Sequence, residues 1–249
     1  MRASSFAALG LAAYSAFLIA TIPAAYVAGQ LNASLRRQVE VSDAQGTLWQ
    51  GSARVRIAPT RGGKAIDRID WRILPARLFA GELAFHVNAS GEGLKASAQV
   101  ARGFSNWRLR ELKAEGDAAG VAAYVPILAT WRPSGPVRIA APEITLTGRA
   151  FRGSLEAEWR DAVSGLSEVK PLGSYRAGWR ADGDFGDLSV TTLKGPLRLT
   201  GAGRTTARGV TFSGEARGEG EAAKALEPLL DLMGPRRPDG ARALELRLE

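Results

Sequence analysis

The chain opens with a long apolar segment. No charged side chain occurs between Ala3 and Leu35. The core of that run, residues 6–27, would form roughly 33 Å of helix at ~1.5 Å rise per residue, enough to cross a hydrocarbon layer of about 30 Å. Pro23 falls late in the run, where a membrane helix tolerates a kink. We therefore predict a transmembrane helix over residues 6–29.

Two alternatives to a membrane span stay open from the sequence. A cleavable signal peptide would explain the basic Arg2 before an apolar stretch, but this stretch is longer than the usual ~7–15 residues. Ala25 and Ala28 are the best-placed small residues, and they are not spaced as an A-x-A cleavage site. The other alternative is a helix buried in a soluble core. Because basic residues flank both ends of the run, charge alone does not set its orientation.

After residue 37 the period of the pattern changes to two. Between Ala53 and Ile57 apolar residues alternate with arginines, and the same alternation returns in short runs up to Leu248. Turn residues separate these runs at intervals of roughly ten residues, as hairpins require. The sequence is therefore predicted to be mainly β, with a curved antiparallel meander over residues 38–249. One face of such a sheet must be buried by closing, by folding over or by a ligand.

Two stretches depart from the period of two. Residues 118–131 and 221–233 have the spacing of helices, and the second places Leu226, Leu229 and Leu230 on one side. We predict one or two short helices here, each covering an open end or face of the sheet. Pro228 lies inside the second stretch, where it is either a first-turn proline or the site of a kink.

A weak internal repeat divides the β region. The segment Gly46–Ser52 (GTLWQGS) is echoed by Gly148–Ser154 (GRAFRGS), each with an aromatic residue between glycines. The repeat predicts two related halves, 38–132 and 133–249. A shared hairpin pattern in a glycine-rich β protein is the alternative explanation.

Composition narrows the function. The chain has no cysteine, which excludes disulfides, thiolate metal sites and a cysteine nucleophile. Its formal net charge of +8 invites a nucleic-acid partner. However, arginines such as Arg68, Arg72 and Arg108 are scattered singly along the strands, which is typical of a solvated sheet face. We therefore predict no nucleic-acid partner, and a basic surface suited to lying near anionic lipid headgroups.

Candidate catalytic and metal-binding residues are few. His86 is the only histidine, so a zinc site or a Ser–His–Asp triad would depend on it alone. The run DGDFGD at residues 182–187 begins like a calcium loop, but Leu193 stands where that loop requires a bidentate glutamate. No phosphate-binding loop, dinucleotide fingerprint or serine-nucleophile motif occurs. The sequence predicts no catalytic residue, cofactor or metal.

Aromatic residues are the more informative candidates. Several occupy the inward phase of predicted strands, where they either pack in a core or line an apolar groove. The candidates for this lining are Trp49, Trp71, Phe85, Trp107, Trp159 and Trp179.

A series of short motifs in a fixed order resembles the type II secretion system protein N family, also called general secretory pathway protein N. Each motif is low in information, and their order over nearly the whole chain carries the resemblance. They are the ATIPA end of the apolar run at Ala20–Ala24, GTLWQG at Gly46–Gly51, D-W-x-I-x-P-x-x-L-x-x-G-x-L at Asp70–Leu83, P-L-G-x-Y at Pro171–Tyr175 and G-P-L-R-L-x-G at Gly195–Gly201.

This resemblance implies a single-span inner-membrane protein with a cytoplasmic start at residues 1–5 and a periplasmic β domain at 38–249. It implies a non-enzymatic component or accessory of the apparatus that moves folded proteins across the outer membrane, with other secretion subunits as partners. The family also resembles AsmA-like proteins, whose curved sheets form lipid-holding grooves. A lipid-binding or lipid-transfer module is therefore the alternative, favoured by an open apolar groove rather than a closed core.

Overall fold

The computed structural model of the chain describes residues 10–11, 14–15, 17–18, 20–34, 39–57, 65–91, 93–123 and 126–248. Four helices are bounded within these ranges, and we number them α1 (Ala24–Ser34), α2 (Ala118–Ala122), α3 (Pro126–Ala129) and α4 (Ala223–Met233). Two 3-10 turns accompany them at Pro75–Ala80 and Gly220–Ala222.

Strands make up most of the described chain. The strands are β1 (Val39–Gly46), β2 (Gln50–Ile57), β3 (Ala65–Ile73), β4 (Leu83–Gly91), β5 (Leu94–Arg102), β6 (Asn106–Asp117), β7 (Pro133–Ser134), β8 (Pro136–Thr147), β9 (Ala150–Ser164), β10 (Gly173–Gly183), β11 (Phe185–Lys194), β12 (Leu197–Thr206), β13 (Gly209–Gly218) and β14 (Arg242–Leu248). The prediction of a mainly β chain is confirmed.

The strands form one open antiparallel meander. From β1 to β14 each strand pairs with the next in chain order, except that β6 pairs directly with β8 and the short β7 pairs with β9. Short hairpins of this kind join antiparallel neighbours without crossovers. The sheet runs on through the β6–β8 pairing at the point where the repeat predicts two halves to meet. The two halves stay a prediction.

Directly paired residues share a face of a sheet, and this rule gives the meander two faces of different character. Phe85 is paired with Val100, Val100 with Leu109 and Leu109 with Ile144. Further along, Trp179 is paired with Leu188. We call the side that carries these residues the apolar face. The opposite side, with most of the strand arginines and carboxylates, is the polar face.

Helix α4 covers the apolar face at the β12–β14 end. Leu226, Leu229 and Leu230 are buried there against Leu197 and Ala216. The helix spacing predicted for residues 221–233 is therefore confirmed.

The helix is also tied to the edge strand by charge. Arg242 of β14, whose side chain is only 5% exposed, forms ion pairs with Glu227 and Asp231 of α4. Pro228 lies inside this helix, after its first turn.

The predicted helix over residues 118–131 is shorter in the structure. Asp117 caps α2 by accepting a hydrogen bond from the Ala119 amide at 2.9 Å, and the helix ends at Ala122. A second short helix starts at Pro126, a residue favoured in the first turn of a helix because it has no N–H to satisfy. The stretch therefore forms two short helices rather than one.

The predicted membrane helix over residues 6–29 also differs. Residues 6–9, 12, 13, 16 and 19 lie outside the described ones, as do residues 1–5. The helical backbone is interrupted from Thr21 to Pro23, and Pro23 instead forms a bridge with Thr47 of the sheet. Proline lacks the N–H that would continue a helix, which explains the break. No helix among the described residues has both the length and the apolarity to cross a membrane.

Replacing Leu226 by Ala tests the packing of α4. Leu226 is fully buried, so removal of its side chain should lower the free energy of unfolding by about 2–5 kcal/mol. The matched control is Leu232→Ala on the same helix, which is 63% exposed and should change stability by less than about 1 kcal/mol. Denaturant unfolding of the full chain in detergent measures both. Equal losses would contradict this packing.

Candidate functional site

The middle of the apolar face is only partly covered by the rest of the chain. Helices α1 and α4 lie at its two ends, whereas Trp107 is 49% and Phe151 is 42% exposed between them. Large aromatic side chains on a sheet surface are normally buried, and exposed apolar surface of this kind marks a binding surface. The apolar face is therefore the candidate functional site.

One part of it is a cavity between α1 and the first strands, which we call the helix cleft. The helix cleft has a volume of about 310 Å³ and is lined only by apolar residues. From α1 come Val27, Ala28 and Leu31, and from the strands come Trp71 and Phe85. The remaining lining residues are Ala24, Val41, Ala44, Leu48, Ala53, Val55, Ile69, Val87 and Val100.

Hydrogen bonds at both ends hold α1 over the helix cleft. Before the helix, the Leu48 amide donates to the Ile22 carbonyl at 2.9 Å. In its last turn, the side-chain amide of Asn32 donates to the Val41 carbonyl and accepts from the Val41 amide, each at 2.8 Å. Asn32 thus makes the two bonds that a neighbouring strand would make to β1. The helix is fixed in place by backbone groups that the edge strand would otherwise leave unpaired.

Trp71 is the most firmly positioned aromatic residue of the cleft. Its indole Nε1 donates to the carbonyls of Thr47 and Leu48 at 3.2 and 3.1 Å. The paired residue on β2 is Gly51, where a Cβ would lie 2.6 Å from the Trp71 ring, so any side chain there would displace the ring. Phe85 lies two strands from Gly51 on the same face and completes the aromatic wall.

The other predicted aromatic residues lie along the sheet rather than together. Trp49 is in the β1–β2 turn, and its carbonyl accepts from the Ile73 amide at 2.7 Å. Trp107 lies under the Arg102 guanidinium, 5.0 Å from its ring centroid. Trp159 donates to the Ser134 carbonyl at 3.1 Å, and Trp179 donates to the Thr205 hydroxyl at 2.9 Å.

Two of these tryptophans have aromatic neighbours. Trp179 meets Phe151 edge-on with 6.1 Å between ring centroids, and Trp159 packs against Tyr175 at 6.0 Å. The structure therefore brings only Trp71 and Phe85 of the predicted set into one cavity, with the rest distributed over the apolar face. Their role in binding stays a prediction.

On the polar face, charges of opposite sign are paired both within a strand and across neighbouring strands. Arg176 and Arg160 both donate hydrogen bonds to Glu158 at 2.7 Å, and these bonds lower the pKa of that carboxyl group. The hydrogen bonds from Arg68 similarly lower the pKa of Asp70. Both carboxyl groups are therefore held ionised, as in a structural ion-pair ladder rather than a general acid.

The most buried carboxylate of the polar face is Glu82, which follows the 3-10 turn at Pro75–Ala80. Its side chain is 8% exposed and forms ion pairs with Arg108 and Arg110 of β6, the latter at 3.1 Å. Two cations offset the cost of burying this charge. Gly81, with φ of 71°, ends the turn in the left-handed region and directs the chain back to the sheet.

Among the described residues, neither His86 nor the DGDFGD run at residues 182–187 lies in a cluster of side chains typical of a catalytic or metal site. His86 is half-buried on the polar face, paired with Arg72 and Gln99. In the DGDFGD run, Asp182 and Asp187 form ion pairs with Arg152 and Arg204 at a hairpin turn. Within the described ranges, no three His, Asp or Glu side chains are grouped so that they could hold a metal ion.

Sequence reasoning missed the α1 side of the helix cleft. The apolar pattern places residues 24–29 in the predicted membrane span, whereas the structure buries Ala24 and Ala28 against the sheet. The signal available was the four-residue spacing of Ala24 and Ala28 with Leu31 beyond, which gives a helix one side of small residues that can approach a surface closely. Asn32, three residues beyond the predicted span, was a second sign, because its polar side chain can bind the backbone of a neighbouring strand.

The fold and the site together define a class of protein: an open antiparallel meander that presents one apolar face beneath an N-terminal helix. A family model described as type II secretion system (T2SS), protein N, matches residues 37–245. The chain belongs to this family, as the order of its motifs predicted. A search of curated proteins and a search of solved structures found no significant match.

Proposed function

We propose that this chain is a non-enzymatic inner-membrane component or accessory of the type II secretion system, with its sheet in the periplasm. The observation that carries the proposal is the family match over residues 37–245, which covers the whole described sheet except the end of β14. A role in type II secretion follows from the family. The membrane anchor, the periplasmic location and the absence of catalysis are the parts that we propose.

The sequence before the sheet supports a membrane anchor. From Ala3 to Ala20, ahead of the break at Thr21–Pro23, every residue is uncharged. As a helix this segment would extend roughly 27 Å, close to the thickness of a hydrocarbon layer. Ile22 and Pro23 then bond directly to the β1–β2 turn, so the sheet would stand immediately at the membrane surface.

The arrangement of charges supports a scaffold rather than an enzyme. The carboxylates with shifted pKa values, Asp70 and Glu158, are ionised by neighbouring arginines and lie apart from the helix cleft. A general acid or base at neutral pH needs a pKa shifted toward 7, and these shifts run the opposite way. The polar face therefore offers charged, rigid surface to partner subunits.

The proposed topology is tested by single-cysteine labelling, since the natural chain contains no cysteine. Ser213→Cys places a thiol on the exposed polar face of β13, and Ser4→Cys places one at the amino end of the uncharged segment. In cells with a permeabilised outer membrane, a membrane-impermeant maleimide should label Ser213→Cys at once and Ser4→Cys only after detergent lysis. A strain that lacks this protein should retain folded secretion substrates in the periplasm.

Both variants must restore secretion for this labelling to report on the functional protein. Labelling of Ser213→Cys only after lysis would overturn the periplasmic location. Normal secretion in the strain that lacks the chain would overturn the role in transport while leaving the topology intact.

A second candidate function, lipid binding, is favoured by the helix cleft. Its volume of about 310 Å³ and its apolar lining suit an acyl chain, and ligand pockets in proteins are typically about 300–1,000 Å³ and mostly apolar. The exposed Trp107 and Phe151 extend apolar surface beyond the cleft along the same face. In this candidate function the chain holds or passes on a lipid of the envelope.

Filling the helix cleft tests the lipid candidate. Ala28→Phe places a ring in the cleft and should lower the amount of lipid that co-purifies with the full chain in mild detergent, measured by native mass spectrometry. Ala25→Phe adds the same ring to the exposed side of α1 and should leave the lipid unchanged. Val100→Phe fills the cleft from the sheet and guards against displacement of α1 by the first variant. Equal lipid in all three proteins would contradict lipid binding in the cleft.

A further inference from the structure

The two edges of the sheet differ in how far their outward backbone groups are hydrogen-bonded. At the β1 edge, Asn32 bonds both backbone groups of Val41. At the other edge, in the part of the chain that the structure describes, no strand pairs with the outer side of β14. An unpaired edge strand is a template for pairing with another strand, and proteins normally cover or blunt it.

The start of the β14 edge is covered by the loop before it. The Arg237 amide donates to the Ala241 carbonyl at 2.8 Å, and the Ala243 amide donates to the Pro235 carbonyl at 2.9 Å. Along a β-strand, the backbone N–H and C=O groups of every second residue point to the same neighbour. Since those of Ala243 point away from β13, those of Glu245 and Arg247 also point away from β13. The open edge therefore covers residues 244–248.

The open edge carries two unmatched charges. Glu245 and Arg247 are exposed on the polar face, and neither side chain forms an ion pair or hydrogen bond. Many of the other charges on this face are matched across strands, as in Arg138–Glu115 at 2.8 Å. An edge strand that carries one acidic and one basic side chain without partners is complementary to the same strand of a second copy related by a two-fold axis.

The register of the strand pair decides whether opposite or like charges face each other. When two copies of β14 run antiparallel with a two-fold axis at Leu246, Glu245 faces Arg247 of the second copy and Arg247 faces its Glu245. A two-fold axis at Glu245 or at Arg247 would instead set like charges opposite each other. Opposite charges in directly facing positions stabilise a strand pair, and like charges destabilise it.

We propose that two copies of this chain associate by antiparallel pairing of β14 about a two-fold axis at Leu246. Glu245 and Arg247 of each copy supply the outward backbone groups and the matched charges. The two Leu246 side chains, each 38% exposed in the single chain, meet at the axis on the apolar face. The pairing joins the two apolar faces into one continuous surface.

The pairing is weak in dilute solution. A five-residue strand pair buries far less surface than the roughly 1,600 Å² of a standard stable interface. Association therefore depends on the concentration of the chain, and confinement of both copies to one membrane surface raises that concentration. The proposal does not depend on the function in secretion.

A disulfide at the two-fold axis tests the pairing in native membranes. Directly facing residues at a non-hydrogen-bonded position have Cα atoms about 4.5 Å apart, within the range that a disulfide accepts. Leu246→Cys should therefore give a covalent dimer of the full chain on mild oxidation. Ser213→Cys, which is also exposed but lies on the interior strand β13, should not. Equal cross-linking of both variants, or none of Leu246→Cys, would overturn the proposal.

Charge reversal tests the register independently. Glu245→Arg or Arg247→Glu alone sets like charges opposite each other and should weaken self-association of the purified full chain by about tenfold. The double variant Glu245→Arg/Arg247→Glu should restore it, and a mixture of the two single variants should form heterodimers. Both residues are exposed, so folding is not at risk. Unchanged association in the single variants, or cross-linking of Leu246→Cys to a different secretion subunit alone, would contradict pairing between copies.

Discussion

Backbone pairing between each strand and the next carries the apolar residues of the whole meander to one face, since directly paired residues lie on the same side. An open sheet of this length then has more apolar surface than its few helices can cover. Helix α1 covers the β1 end and α4 covers the β14 end, each with its own anchor. The helix cleft, the exposed middle of the apolar face and the unequal edges all follow from this one constraint.

The sequence was sufficient to predict the antiparallel meander, because the alternation of apolar and polar residues is visible within each short segment. The period of two identifies the strands, and glycine and aspartate turns set the order of neighbours. It was not sufficient for the register. Leu109 and Leu112 lie three residues apart, yet both occupy the apolar face, because Glu111 adopts a left-handed backbone conformation with φ of 53° and an extra residue enters β6. Alternation alone would put Leu112 on the polar face.

The sequence predicted an apolar groove as the candidate site, but it did not predict which residues line the groove. Inward-phase tryptophans indicated an apolar groove, but which of them share a cavity depends on the position of α1. That position is set by Asn32 binding the backbone of Val41, a contact between residues in different elements that no periodicity reveals. Hydropathy alone also places residues 24–29 in the predicted membrane span, because Ala24 and Ala28 are equally suited to lipid and to packing against a sheet.

The central claim is that one apolar face is covered at its ends and open in its middle, and thiol accessibility tests it most directly. Phe151→Cys lies in the open middle of the face, and Leu199→Cys lies on the same face where it packs against the core beneath α4. With the full chain in lipid nanodiscs, a water-soluble maleimide should modify Phe151→Cys much faster than Leu199→Cys. Equally slow modification at both positions would show that another layer covers the face, and would contradict the account.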